Sequence, residues 1–112
     1  MARPPDHIDD TLDLTITRRL REVIAGSAST EAELRLLAEQ GEALARALDA
    51  SVRTSESRLG ALAAEPGAEL AEMASELRRV ERLRAELAEM EADLAAFDER
   101  ARTLRGKWLA QS

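Results

Sequence analysis

Apolar residues fall into three periodic stretches along the chain, separated by two breaks. In the first, Ile8, Leu12, Ile16, Leu20 and Ile24 recur at every fourth position, which draws one stripe on a helix over 9–25. Asp9, Asp10 and Asp13 stand at its start and Arg18, Arg19 and Arg21 near its end, both complementing the helix dipole. Thr11, Thr15 and Thr17 oppose it weakly, because β-branching restricts χ1 in a helix. Residues 1–8 read as a disordered lead containing Pro4, Pro5 and the lone His7.

Residues 26–30 form the first break, with Gly26 suited to a helix C-cap and Ser27 and Ser29 to a linker. Thr30 followed by Glu33 has the form of a capping box and predicts a helix start. The helix predicted over 31–64 carries the seam Leu34, Leu37, Gly41, Leu44, Leu48, Val52, Ser55, Leu59 and Leu62. Its steps alternate between three and four, the coiled-coil period, with one doubled four that locally unwinds a supercoil. Glu65-Pro66-Gly67 is the second break. Proline removes a backbone donor and glycine adds freedom, so the chain either reverses into a hairpin or continues as a kinked rod.

The third stretch predicts a helix over 68–110 with the seam Leu70, Met73, Leu77, Val80, Leu83, Leu87, Met90, Leu94, Phe97, Ala101, Leu104 and Trp108. At 1.5 Å per residue it would be about 65 Å long. The fold class that follows is all-α: an elongated coiled coil, a short N-terminal helix and then two long helices, with 31–110 as the coiled-coil region.

Composition sharpens this picture. Of the 112 residues 45% are hydrophobic and 34% charged, and Phe97 and Trp108 are the only aromatics. Such a balance belongs to long helices rather than compact globules. An Ala-rich stripe buries little area, so each helix needs a partner helix, in this chain or another. The formal charge of −6 opposes nucleic acid as a main ligand, because phosphate binding needs a basic field. Cysteine is absent, which excludes disulfides and thiolate metal sites. No apolar run approaches the length that spans a bilayer, and the first residues lack a signal-peptide core, so a cytoplasmic protein is expected.

Catalytic, metal and cofactor sites are not expected, and neither is enzymatic activity. Glu86, Glu89, Glu91, Asp93, Asp98 and Glu99 read as a solvated helix face, since acid–base work needs a pocket that shifts a pKa. Arg78, Arg79, Arg82 and Arg84 lie among Glu76, Glu81 and Glu86, which favours pairing along the helix. Arg100, Arg102, Arg105 and Lys107 complement the helix C-terminus or meet an acidic partner or membrane surface. All but one of the 16 basic residues are arginine, whose planar fork suits interhelical ion pairs.

The segment from Leu87 to Gln111 carries Leu87, Glu89 and Met90, then Asp93-Leu94, then Arg100, Arg102, Thr103, Leu104, Arg105, Gly106 and Lys107. It resembles the conserved block of the KxDL-motif family. The position of the motif's Lys holds Glu91, a charge reversal. The resemblance covers about the last quarter of the chain. It implies a small coiled-coil subunit of BORC, or of the related complex for biogenesis of lysosome-related organelles. Such a subunit acts on the cytosolic side of lysosomes and endosomes through association with other subunits.

The expected function is therefore a non-catalytic scaffold subunit of a hetero-oligomeric complex in lysosome or endosome positioning. Its partners would be other helical coiled-coil subunits, not nucleic acid, and any membrane association would be peripheral, through the complex. Leu83, Leu87, Met90, Leu94, Phe97, Leu104 and Trp108 are the expected partner-binding seam. Asp93, Leu94, Arg100, Arg102, Thr103, Leu104, Gly106 and Lys107 are the positions carried over from the family motif. Two other readings fit the same pattern: a bacterial coiled-coil hairpin, such as a secretion stalk or chaperone-like protein, and a self-sufficient homodimeric coiled coil.

Overall fold

The computed structural model describes residues 6–111, and their side chains from residue 12 onward. The chain forms three α-helices, α1 (Asp6–Ile24), α2 (Glu31–Ala64) and α3 (Leu70–Ala110), and no strand among the described residues. A short helix followed by two long ones is the order that the apolar stretches predict. α2 has the predicted bounds and α3 begins at Leu70 rather than at residue 68.

α1 begins earlier than predicted. Residues 6–8, expected within a disordered lead, are helical, while residues 1–5 of that lead lie outside the described residues. Prolines upstream do not oppose such a start, because the first N–H groups of a helix have no intrahelical acceptor. Asp6, Asp9 and Asp10 place acidic residues in the first turns, where the dipole favours them.

The end of α1 is a Schellman motif. Gly26 N donates to Val23 O at 3.0 Å and Ser27 N to Glu22 O at 2.9 Å. Gly26 has φ +113°, a conformation that a Cβ would strain. α2 then starts on a side-chain cap: Glu33 N donates to Thr30 Oγ1 at 3.1 Å. The Glu33 carboxylate is held elsewhere, by Arg19 and Ser29, so the reciprocal arm of the expected capping box is replaced by contacts between segments.

Between α2 and α3 the chain turns over Glu65–Ala68, where Ala68 N donates to Glu65 O at 3.2 Å. Pro66 takes the second position of this turn, which its fixed φ suits.

The described residues divide into two compact units, one within residues 1–44 and 90–112 and the other from residues 45–89. In the first unit Ile16, Leu20 and Val23 of α1 are buried with Leu34 and Leu37 of α2 and Met90, Phe97 and Ala101 of α3. The α1 stripe departs from the predicted one: Leu12 is exposed, and the buried set steps by four and then three. A constant step of four drifts around the helix by about 40° each time, so a packed face must include a step of three. Ile8 lies outside the described side chains.

In the second unit the last part of α2 and the first part of α3 form an antiparallel hairpin. Ser55 pairs with Arg79 and Glu56 with Arg84 across it. The chain therefore reverses at Pro66, which decides between hairpin and kinked rod. Val52, Ser55, Val80 and Leu83 are buried here, with Leu48, Leu59, Leu62, Met73 and Leu87 partly so. Every α2 seam position predicted from the period is buried or half-buried, whereas Leu70 and Leu77 of the α3 seam are exposed.

Candidate interaction surfaces

Three arginine–carboxylate pairs tie the helices of the first unit to one another. Arg19 holds Glu33 with two N–H groups, at 2.9 and 2.7 Å, joining α1 to α2. Arg21 Nε donates to Asp93 Oδ2 at 3.0 Å, joining α1 to α3. Arg105 holds Glu31 at 2.8 and 3.1 Å, joining α3 to α2. Two of the three are bidentate, the geometry for which arginine is suited over lysine. The Arg19 guanidinium and the Ser29 hydroxyl lower the Glu33 carboxyl to about 2. Arg105 likewise lowers Glu31, and the basic partners Arg19 and Arg105 are raised in turn by those hydrogen bonds.

The stripe expected to receive other subunits is occupied within the chain. Leu83, Met90 and Phe97 are buried, and Leu87, Leu94, Leu104 and Trp108 are half-buried. Reversal at Pro66 gives α3 a partner in α2, and in the first unit α1 adds a third stripe. The partner helix that an Ala-rich seam requires is thus supplied by this chain along much of its length.

The positions carried over from the family motif divide in two. Asp93 accepts from Arg21, Leu94 packs over Gly41, Leu104 is half-buried, and Arg100 is half-buried with its Nε sheltered and without a hydrogen-bond partner. Arg102 pairs with Asp98 at 2.6 Å and Thr103 Oγ1 donates to Glu99 O at 3.2 Å, both within one turn of α3. Gly106 and Lys107 are exposed, as is Glu91.

Arg79 and Arg84 correct the expectation of local pairing. Arg79 Nε donates to Ser55 Oγ at 3.1 Å and Arg84 donates to Glu56, both across the hairpin. Ser55 is only 1% exposed, and its seam hydroxyl is the acceptor that Arg79 meets on α2. The polar seam residue was the one sequence signal for that contact. Around it Ala50, Ser51, Thr54, Ser55, Arg58 and Arg79 line a solvent-open notch of about 180 Å³. A second open depression, of about 490 Å³, runs along α1 past Leu14, Thr17, Arg18, Arg21, Glu22 and Ala25.

Exposed large apolar side chains complete the surface. Leu12 and Leu14 lie on α1, Leu36 on α2, and Leu70, Leu77 and Leu109 on α3. Among the described residues no helix is long and apolar enough to cross a membrane, and no group of three or more His, Cys, Asp or Glu side chains is placed to hold a metal ion. The side chain of His7 lies outside the described residues. No family model, no curated protein and no solved structure matches the chain.

Proposed function

We propose that this chain is a non-catalytic scaffold that binds the helices of other subunits, and that the hairpin of residues 45–89 is where it does so. One observation carries the reading. The apolar stripe of that hairpin is incompletely covered: Leu70 is 80% and Leu77 45% exposed, and Met73 and Leu62 are half-buried. Two helix segments bury the centre of a seam but leave its flanks to water, and a further helix would cover them. Exposed apolar surface of this kind is what helix-in-groove association uses.

The resemblance over residues 87–111 supports a narrower assignment, to a complex of the BORC type acting at lysosomes or endosomes. Of the motif positions, Gly106 and Lys107 stand at the surface, where another subunit would reach them. Asp93 and Leu94 already serve the chain's own packing, so any contact that the motif adds to those of the hairpin would be made by its tail rather than by its centre.

Leu77→Glu tests the reading, with tagged full-length chain recovered from its native cell and its partners identified by mass spectrometry. The expected result is a set of helical subunits that wild type retains and Leu77→Glu loses, with thermal unfolding of the isolated chain unchanged. An identical partner set from both proteins, with both monomeric in sedimentation, would overturn it.

A further inference from the structure

The geometry points to a binding site for a phosphoryl group in the notch of the 45–89 hairpin. Ser51, Thr54, Ser55 and Arg58 stand at i, i+3, i+4 and i+7 of α2, which places three hydroxyls and a guanidinium along one helix face. Arg79 of α3 closes the notch from the other helix. Its Nε is fixed on the buried Ser55 hydroxyl at 3.1 Å. That bond orients the guanidinium while leaving its terminal N–H groups available, and it does so with a neutral acceptor.

What distinguishes this notch is that it sets two guanidinium groups, neither of them ion-paired, beside side-chain hydroxyls. Among the described residues neither Arg58 nor Arg79 has a carboxylate within ion-pair distance, whereas Arg19, Arg21, Arg35, Arg53, Arg84, Arg102 and Arg105 each have one; Arg18, Arg46, Arg78, Arg82 and Arg100 also stand without one, but none of them lines this notch. Glu76, one turn before Arg79, does not line the notch. Two uncompensated guanidinium groups and the open hydroxyls of Ser51 and Thr54 match a dianionic, tetrahedral oxyanion. Such an ion offers more acceptor positions than a single carboxylate and carries the charge to neutralise both arginines. A notch of about 180 Å³ is smaller than the pockets that enclose drug-sized ligands, roughly 300–1,000 Å³, so it fits one phosphoryl group and not a nucleotide. The group would come either as free phosphate or on a phosphorylated serine of a helical segment. This inference does not depend on the scaffold function.

The test is a titration of the full-length, nitrogen-15-labelled chain with sodium phosphate, read at the arginine Nε–H signals against sodium chloride at equal ionic strength. Saturable shifts at Arg58 and Arg79 are expected, with Arg46 and Arg82 following chloride alone. Arg79→Gln and the exposed Arg58→Gln should each weaken binding about tenfold or more, the order lost with one charge-assisted hydrogen bond. Unchanged thermal unfolding of Arg58→Gln separates this loss from misfolding. A second titration uses a helical peptide carrying one phosphoserine, beside its serine counterpart. Tighter binding of the phosphopeptide than of phosphate identifies a carried group, and the reverse order identifies the free ion. Shifts that stay linear in every titration, or are equal at all arginines, would overturn the site.

Discussion

Gly41 of α2 faces Leu94 of α3 so closely that a Cβ at Gly41 would come to 2.5 Å from Leu94 Cδ2, with Leu20 Cδ1 of α1 at 3.4 Å. The glycine is the place where α2 makes room for leucines from both neighbouring helices of the first unit. Two opposing effects act on Gly41→Ala. Helix propensity favours alanine by about 1 kcal/mol, and overpacking costs about 1–3 kcal/mol when neighbours cannot move freely. Leu94 is half-buried and can turn partly aside, so the net expectation is a small destabilisation, up to about 2 kcal/mol. In a Leu94→Ala background the obstruction is gone and Gly41→Ala should stabilise by about 1 kcal/mol. Urea denaturation of the four proteins measures the cycle, and additive effects would contradict this packing.

Gly60 and Gly106 differ from Gly41, because a Cβ at either meets nothing within 4 Å. Both lie inside helices with no positive φ. Gly60→Ala and Gly106→Ala should therefore each stabilise the isolated chain by about 0.5–1 kcal/mol. Gly106 also belongs to the motif resemblance, and nothing within this chain requires a glycine there. If close approach by another subunit requires it, Gly106→Ala will raise the melting temperature and yet reduce co-purification of partners. Gly60→Ala will raise the temperature alone.

The periodicity of the apolar residues made most of the fold legible. The α2 seam from Leu34 to Leu62 could be read position by position because a burial stripe on a helix is a property of spacing. Thr30 marked the start of α2 through its hydroxyl, and Gly26 marked the end of α1 through its φ. What spacing does not contain is which stripe covers which. Whether Leu94 would meet another subunit or Gly41 of the same chain depends on the direction taken after Pro66, and a proline-glycine pair permits both. The same limit applied to charge. Arg79 and Arg84 have acids at helical spacing, but their partners lie across the hairpin, at residues distant in sequence.

Acid should loosen the first unit through Glu33. Its carboxyl is lowered from 4.5 to about 2 by Arg19 and Ser29, so the folded chain holds this group ionised where the unfolded chain binds a proton. The stabilisation is complete above about pH 4.5 and is lost as the pH falls from there toward 2. Glu31, lowered by Arg105, acts in the same direction. Melting temperatures between pH 2 and pH 6 should fall steeply for wild type and less steeply for Glu33→Gln. A further flattening is expected when Glu31→Gln is added. Parallel curves for wild type and Glu33→Gln would show that the pair does not distinguish folded from unfolded chain.

Phe97 and Leu77 occupy seam positions on the same helix with opposite surroundings, being 2% and 45% exposed. Removing the Phe97 ring leaves a cavity in the first unit, and such truncations cost about 3–5 kcal/mol. That is a large share of the roughly 5–15 kcal/mol that holds a domain folded. Phe97→Ala should therefore lower the denaturation midpoint strongly, and any loss of partners would follow from loss of structure. Leu77→Ala removes a side chain already half in water, so it should cost about 1 kcal/mol or less. If that exposed flank receives another helix, the small change in stability will accompany a clear loss of association in sedimentation experiments with the recovered partner. Equal partner affinity in wild type and Leu77→Ala, with Phe97→Ala alone impaired, would place the binding surface elsewhere than on the hairpin.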